Sequence, residues 1–247
     1  MDVGRLRSFP MMAALRYLAA IGGYTIWLGT RILVAALVGV RQVPGGFYDR
    51  MQHRYGDKLL KSSRIAVKAE GLDRLLPGQS VVYIVNHVSW VDIWMLLVTL
   101  PGTTRFVFKK ELSRIPFLGP AINAMGHVPL DRGNRGSAFA SYERAAQQIR
   151  GGTSTIVFAE GTRSADGRLL AFKKGPFVLA IAAGVPVVPV VCEGSFERLP
   201  KGSISPRPGV VTVRIGTPIP TTGLRYDDRD QLADQTRAAM VALGAPE

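Results

Sequence analysis

Residues 80–99 read SVVYIVNHVSWVDIWMLLVT, an apolar β-rich run, a short polar turn and a second apolar run. The first run, Ser80–Val85, is a strand by its Val/Ile/Tyr content, and the second, from about Trp90 to Thr99, reads as a helix. Ser89 stands where an N-cap belongs and Asp92 follows three residues later, an S-x-x-D capping pattern. The turn holds one of only three histidines in the chain, His87, five residues before Asp92. On one helix, positions i and i+5 diverge, so these two side chains meet only if the backbone between them turns. A strand end presenting His87 and a helix start presenting Asp92 supply that turn. A His–Asp pair suits general-base chemistry, because the carboxylate fixes the ring tautomer and stabilises the imidazolium. The plainer alternative is a capped helix with a loop histidine before it.

The same grammar extends outward. Further β-rich runs fall at Ile65–Ala69, Arg105–Phe108, Val128–Leu130, Thr155–Phe158, Pro186–Val191 and Val210–Ile215. Helix-like stretches lie at Ile115–Met125, Ser137–Ile149, Gly175–Ala183 and Asp228–Leu243, with Gly and Pro clustered at the joints. Strands alternating with helices predict an α/β domain with a largely parallel central sheet, whose C-terminal strand ends are where ligands bind. The expected organisation is an N-terminal membrane element over residues 1–62 and one catalytic domain over 63–247, without repeats or linkers.

The chain has 247 residues, 47% of them hydrophobic, enough for a substantial core. Lys and Arg number 31 against 18 Asp and Glu, a formal charge of +13. Such an excess points to an anionic partner: nucleic acid, an anionic membrane surface, or a phosphorylated or CoA-like substrate. The basic–aromatic patterns of nucleic-acid modules are absent, so no nucleic-acid partner is expected. The lone cysteine, Cys192, excludes an internal disulfide and fits a reducing compartment.

From Met11 to Val40 only Arg16 and Arg31 interrupt an apolar segment. Its uncharged runs, 17–30 and 32–40, each fall short of a span, which is reached only if Arg31 is included, either snorkelling or marking a bend near Gly29. A signal peptide, a buried core helix and a membrane-embedded anchor, spanning or monotopic, all fit; the anchor is the expectation. Phe47–Ser62 follows with Tyr48, Met51, Tyr55 and Leu59 at helical spacing and Arg50, Arg54, Lys58 and Lys61 between them, as in an interfacial helix on anionic lipid or an ordinary amphipathic surface helix.

Three more segments carry chemistry or shape. FAEGTRS, Phe158–Ser164, follows a β-rich run; Gly161 lets the backbone turn, and Arg163 offers a planar fork for a phosphate. Glu160 is expected either to orient Arg163 or to bind a substrate hydroxyl; the competing reading is a surface turn with an internal Glu–Arg pair. KKELSRIPFLGPAINAMGHVPLDR, Lys109–Arg132, ends on an arginine that could reach the same pocket, and its IPFLGPAI suits core, acyl groove or bilayer contact. GVPVVPVV, Gly184–Val191, places two prolines in a β-rich run, which suggests strand ends, an edge or a bulge.

NHVSWVD resembles the N-H-x-x-x-x-D motif of the 1-acyl-sn-glycerol-3-phosphate acyltransferases, and that family's other blocks look present in order. They are Gly126–Arg132, Glu160–Arg163 (EGTR) and Val185–Pro189, with FKKG at 172–175 also similar. The resemblance covers about 81–191; HVPLDR departs from the usual pattern at Pro129. It implies transfer of a fatty acyl group from acyl-CoA or acyl-carrier protein to the sn-2 hydroxyl of lysophosphatidic acid. His87 would be the base and Asp92 its orienting partner. Glu160, Gly161, Thr162, Arg163 and Arg132 would form the acceptor site. Neither a cofactor nor a metal is implied, and neither Cys192 nor a G-x-S-x-G serine offers a covalent nucleophile. The expected setting is a membrane with the active site facing the cytoplasm. A related enzyme for another lyso-lipid, such as lyso-ornithine lipid, would share every motif; a non-enzymatic basic membrane-binding protein would explain the charge but not the His–Asp turn.

Overall fold

The computed structural model describes residues 4–131, 133 and 135–247. Seven strands form one sheet: β1 (Ile65–Glu70), β2 (Val82–Val85), β3 (Thr104–Lys109), β4 (Val128–Leu130), β5 (Ser154–Phe158), β6 (Val187–Glu193) and β7 (Gly209–Ile215). Their spatial order is β1-β7-β6-β2-β5-β3-β4, and every pairing is parallel except β6 with β7. Each β-rich run of the sequence is a strand, and the single α/β domain expected from their alternation is the architecture observed.

The helices are α1 (Gly4–Leu37), α2 (Phe47–Ser62), α3 (Val91–Thr99), α4 (Leu118–Ala124), α5 (Arg135–Arg150), α6 (Gly175–Ala183), α7 (Ser195–Arg198) and α8 (Arg229–Ala242). Strand side chains alternate between two cores. Tyr83 and Val85 join Phe106, Ile156, Val188 and Val190 beneath α2 and α3, whereas Val82 and Ile84 join Val107, Val157 and Val187 beneath α5, α6 and α8. With both faces covered, the central strands carry near-continuous apolar sequence rather than an alternating one.

Of the two prolines, Pro186 immediately precedes β6, at a strand end as the sequence suggested, whereas Pro189 is within the strand and does not mark an edge. β6 lies inside the sheet, between β2 and β7. Pro189 is tolerated because its carbonyl accepts from Gly216 on the β7 side, where the antiparallel ladder begins only at Val190; the missing N–H forfeits no rung. Pro129 sits in β4, an edge strand paired only to β3, the place where a strand proline costs least.

Of the two roles open to Arg31, the bend near Gly29 is not taken. α1 runs unbroken through Gly29 and Arg31. Gly29 instead allows a close approach to the Phe117 backbone, where a Cβ would be 3.3 Å from the Phe117 carbonyl oxygen. One face of α1 packs inward through Tyr17, Leu28, Ile32 and Ala35, while Leu15, Leu18, Ile26, Trp27, Val34 and Leu37 remain exposed. Residues Ala14–Leu37 are long and apolar enough to cross a membrane.

α2 turns its apolar face to protein. Tyr48, Met51 and Leu59 are buried, and Gly56 lets the helix approach α3 so closely that a Cβ would meet the Trp94 carbonyl oxygen at 2.8 Å. Its exposed face holds Arg50, His53, Arg54, Lys58 and Lys61. A buried ion pair absent from the sequence reading fastens the helix to the sheet: Arg105 on β3 donates to Asp49 at 2.7 Å, and Thr103 adds a bond at 2.6 Å.

Candidate active site

β6, β2, β5 and β3 run parallel and side by side, so their C-terminal ends share one edge of the sheet. β2 delivers Asn86 and His87 there, and β5 delivers Glu160. The chain turns at Val88–Ser89 into α3, and His87 Nδ1 comes within 2.9 Å of Asp92 Oδ2. The same oxygen accepts the backbone N–H groups of Val88 and Ser89, both at 2.8 Å. The Asp92 half of the capping pattern is therefore realised. Ser89 Oγ accepts from Val91 N–H at 3.1 Å and donates to the Leu199 carbonyl at 2.7 Å. The helix begins one residue later than that pattern implies, at Val91.

Asp92 is fully buried, whereas the His87 side chain retains 14% exposure. A carboxylate only accepts, so Nδ1 carries the proton and Nε2 presents its lone pair. The ring stacks on Phe158 with centroids 3.8 Å apart, which with the Asp92 bond fixes its plane. Ser195 Oγ donates to the second oxygen, Asp92 Oδ1, at 2.5 Å. Nothing in the sequence pointed to Ser195, which lies 103 positions from its partner.

Glu160 corrects an expectation. It contacts neither Arg163 nor open space: it is 3% exposed, Oε1 accepts from His87 N–H at 2.8 Å, and Oε2 accepts from Leu170 N–H at 3.0 Å. Ser164 N–H donates to the His87 carbonyl at 2.8 Å. The turn thus grips the histidine backbone at both ends, and both Glu160 oxygens are taken by backbone N–H groups. Burial, the largest influence, raises its pKa from 4.5 to about 7 against the opposing pull of the two N–H donors.

Gly161 adopts φ 78°, the left-handed turn its position requires, and its N–H bonds the Phe158 carbonyl. Thr162 is exposed beside it. Arg163 lays its guanidinium over the Trp90 ring, 4.8 Å from the centroid, and forms no ion pair among the described residues. The internal Glu–Arg pair of the competing reading is therefore not formed. Lys201 donates to the Arg163 carbonyl at 2.9 Å. Arg132 lies outside the described residues.

His87, Trp90, Gly161, Thr162 and Arg163 stand at one part of the wall of a cavity of about 400 Å³. The remainder is mainly apolar and comes chiefly from four helices and β3, including Leu28 and Ile32 of α1, Met51 of α2, Trp94 and Leu97 of α3, and Ala121 and Ile122 of α4, with Phe158 of β5. The IPFLGPAI segment thus contributes its helix to both core and cavity, with Ile115 and Phe117 exposed. His127 also lines the cavity; burial and the nearby Arg105 lower its pKa to about 3, and its neutral ring accepts from Phe106 N–H. Asn86 grips the backbone of Cys192 on β6 through two bonds, 2.7 and 3.1 Å long.

Similar sequences and a similar fold occur in known proteins. A family model described as Acyltransferase matches residues 66–193. The chloroplastic 1-acyl-sn-glycerol-3-phosphate acyltransferase LPAT1 of Arabidopsis thaliana is 38% identical over 161 residues, 63% of this chain and 45% of that protein. The alpha enzyme of the same name from Bos taurus is 34% identical over 180 residues, 72% and 63% of the two chains. The chain thus spans about half the length of the plant relative. The crystal structure of the 1-acyl-sn-glycerophosphate acyltransferase PlsC from Thermotoga maritima superposes with a TM-score of 0.77 at 25% identity, covering 98% of both chains. With its family-model match across the sheet and the His–Asp turn, the chain belongs to the Acyltransferase family.

Proposed function

We propose that the protein transfers a fatty acyl group from a thioester, acyl-CoA or acyl-carrier protein, to the sn-2 hydroxyl of 1-acyl-sn-glycerol-3-phosphate, giving phosphatidic acid. The observation that carries this reading is the His87–Asp92 pair, whose ring lines an apolar cavity flanked by Arg163. His87 Nε2 takes the proton of the acceptor hydroxyl as its oxygen attacks the thioester carbonyl. Asp92 stabilises the imidazolium that forms. The tetrahedral intermediate then collapses, the C–S bond breaks, and the departing thiolate takes the proton back from His87. No covalent acyl-enzyme is needed, and Cys192 is unsuited to one because burial holds its thiol pKa well above the ordinary range.

Arg163 supplies the phosphate contact: its fork suits two phosphate oxygens, and stacking on Trp90 fixes its plane. The apolar cavity takes an acyl chain. The names of the relatives supply the acceptor. We place α1 in the membrane, with the active site on the cytoplasmic side, where a charged thioester donor resides, and the basic face of α2 toward anionic phospholipid. Arg163→Ala tests the acceptor. It should lose about 1.5–3 kcal/mol of transition-state binding with lysophosphatidic acid, roughly tenfold to hundredfold in kcat/KM. It should lose much less with monoacylglycerol, which has no phosphate. Arg163→Lys should remain impaired because the charge survives but the fork does not. Equal losses on both acceptors in a folded variant would mean that Arg163 holds the loop instead of a phosphate.

A further inference from the structure

The segment that ends β6 and follows it, CEGSFERL at 192–199, carries no motif of its own, yet three contacts join it to the NHVSWVD turn. Asn86 grips the backbone of Cys192, Ser195 donates to Asp92, and Ser89 donates to the carbonyl of Leu199. Gly194, at φ 77°, makes the turn that brings Ser195 inward. Ser195 is fully buried and absent from the cavity wall, so its hydroxyl meets the carboxylate and not the substrate.

We propose that Ser195 is a positioning residue of the acyl transfer: its hydroxyl fixes the one Asp92 oxygen that His87 does not use. This rests on the reading of His87 and Asp92 as the base pair. The terminal torsion of an aspartate is broad, so a carboxylate held by one oxygen alone can swing. Oδ2 is held by Val88 N–H, Ser89 N–H and His87 Nδ1–H, whereas Oδ1 accepts from Ser195. With both ends fixed, the carboxylate plane is set and with it the direction in which Nε2 points. Without Ser195, Oδ1 becomes a buried acceptor without its donor, and the plane of the pair loosens. Substrate contacts are untouched, so the loss falls on kcat.

The test measures kcat and both KM values, with unfolding temperatures, for Ser195→Ala in the wild-type and Asp92→Asn backgrounds. The acceptor is whichever lyso-lipid the wild type acylates fastest, so failure on lysophosphatidic acid would sink the proposed acceptor without touching this comparison. In the wild-type background kcat should fall about tenfold to hundredfold with both KM values within about twofold, the scale of one hydrogen bond to a charged group. In the Asp92→Asn background the same change should cost less than about threefold, since no carboxylate remains to be aligned. Ser195→Thr, which keeps the hydroxyl, should recover most of the loss. An equal cost in both backgrounds would reduce Ser195 to a loop fastener and overturn the proposal, as would a kcat within twofold of wild type. Should Ser195→Ala not fold, Ser195→Cys, close in shape with a weak donor, takes its place in both backgrounds, and the same two results would overturn the proposal.

Discussion

Replacing Asp92 separates its charge from its hydrogen bonds, because asparagine can keep nearly all of the geometry. With its amide oxygen in the place of Oδ2, the substituted asparagine would still accept from Val88 N–H, Ser89 N–H and His87 Nδ1–H. Its amide nitrogen would then face Ser195 Oγ, which can reverse from donor to acceptor. The stability cost of Asp92→Asn should therefore be about 1 kcal/mol. Asp92→Ala instead strands two backbone N–H groups and a hydroxyl on residues that are 0–3% exposed. At about 1–3 kcal/mol for each of the three stranded groups, the loss is roughly 3–9 kcal/mol, a large share of the roughly 5–15 kcal/mol that holds a typical domain together. Catalysis should order the variants differently. The imidazolium loses its counter-charge in both, so Asp92→Asn should fall steeply in kcat although it folds, with about 10⁴ as the upper bound, the loss seen where a His–Asp pair also loses its tautomer. That bound is about 5.4 kcal/mol of barrier. Thermal unfolding in detergent and release of free thiol from acyl-CoA measure the two quantities. Should Asp92→Asn keep kcat within tenfold of wild type, the carboxylate charge is not part of the chemistry. Should it unfold as readily as Asp92→Ala, the bond-for-bond argument is wrong.

Three further outcomes follow from particular side chains. Glu160 has a pKa raised from 4.5 to about 7, so the native state holds its proton more tightly than the unfolded chain. Its contribution to stability is then fully present below pH 4.5 and lost as pH rises through about 7, roughly 3 kcal/mol in all. Unfolding temperatures of wild type and Glu160→Gln across about pH 4.5–8 should converge toward high pH, and parallel curves would refute the assignment. Asp49→Ala, which leaves the Arg105 guanidinium buried and unpaired, should cost about 3–5 kcal/mol, whereas a chemical-denaturation loss below about 1 kcal/mol would mean that water replaces the pair. Cys192→Ala should keep kcat within about twofold, and the native thiol should resist maleimide at about pH 7, since Cys192 is 3% exposed with a raised pKa; rapid labelling of folded protein would contradict its burial.

Periodicity made the sheet legible: the seven strands stand within a few residues of their β-rich runs, the central ones as continuous apolar runs covered on both faces and β7 as an alternating one. The His87–Asp92 approach was legible for a local reason, since one tight turn decides it. The partners of Glu160 were not legible because a carboxylate beside an arginine suggests a pair, whereas it meets backbone N–H groups at His87 and Leu170, which carry no residue signature. Ser195 was invisible for a related reason: serine is common in loops, and the strand order that lays β6 beside β2 exists only in three dimensions. The α2 reading turned on a similar ambiguity. An apolar stripe at helical spacing records that a face is buried but not against what, and here α3 and the sheet receive it. The Asp49–Arg105 bond joins residues 56 positions apart, and neither residue stood out among the charges around it.

α1 is both a wall of the cavity, through Thr25, Leu28, Gly29 and Ile32, and a helix whose opposite side is bare apolar surface. That double duty bears on how a lipid travels. Drawing a sixteen-carbon chain through water would expose about fifteen methylenes at ~0.8 kcal/mol each, roughly 12 kcal/mol, a barrier that would dwarf the chemistry for slow, sparingly soluble substrates. With α1 immersed in the bilayer, the chain passes from lipid to cavity beside one helix thickness of protein, about 10 Å, and need never become wet. Turnover would then follow the mole fraction of lyso-lipid within the membrane, and diluting the vesicles in buffer at constant composition would leave the rate per bound enzyme unchanged.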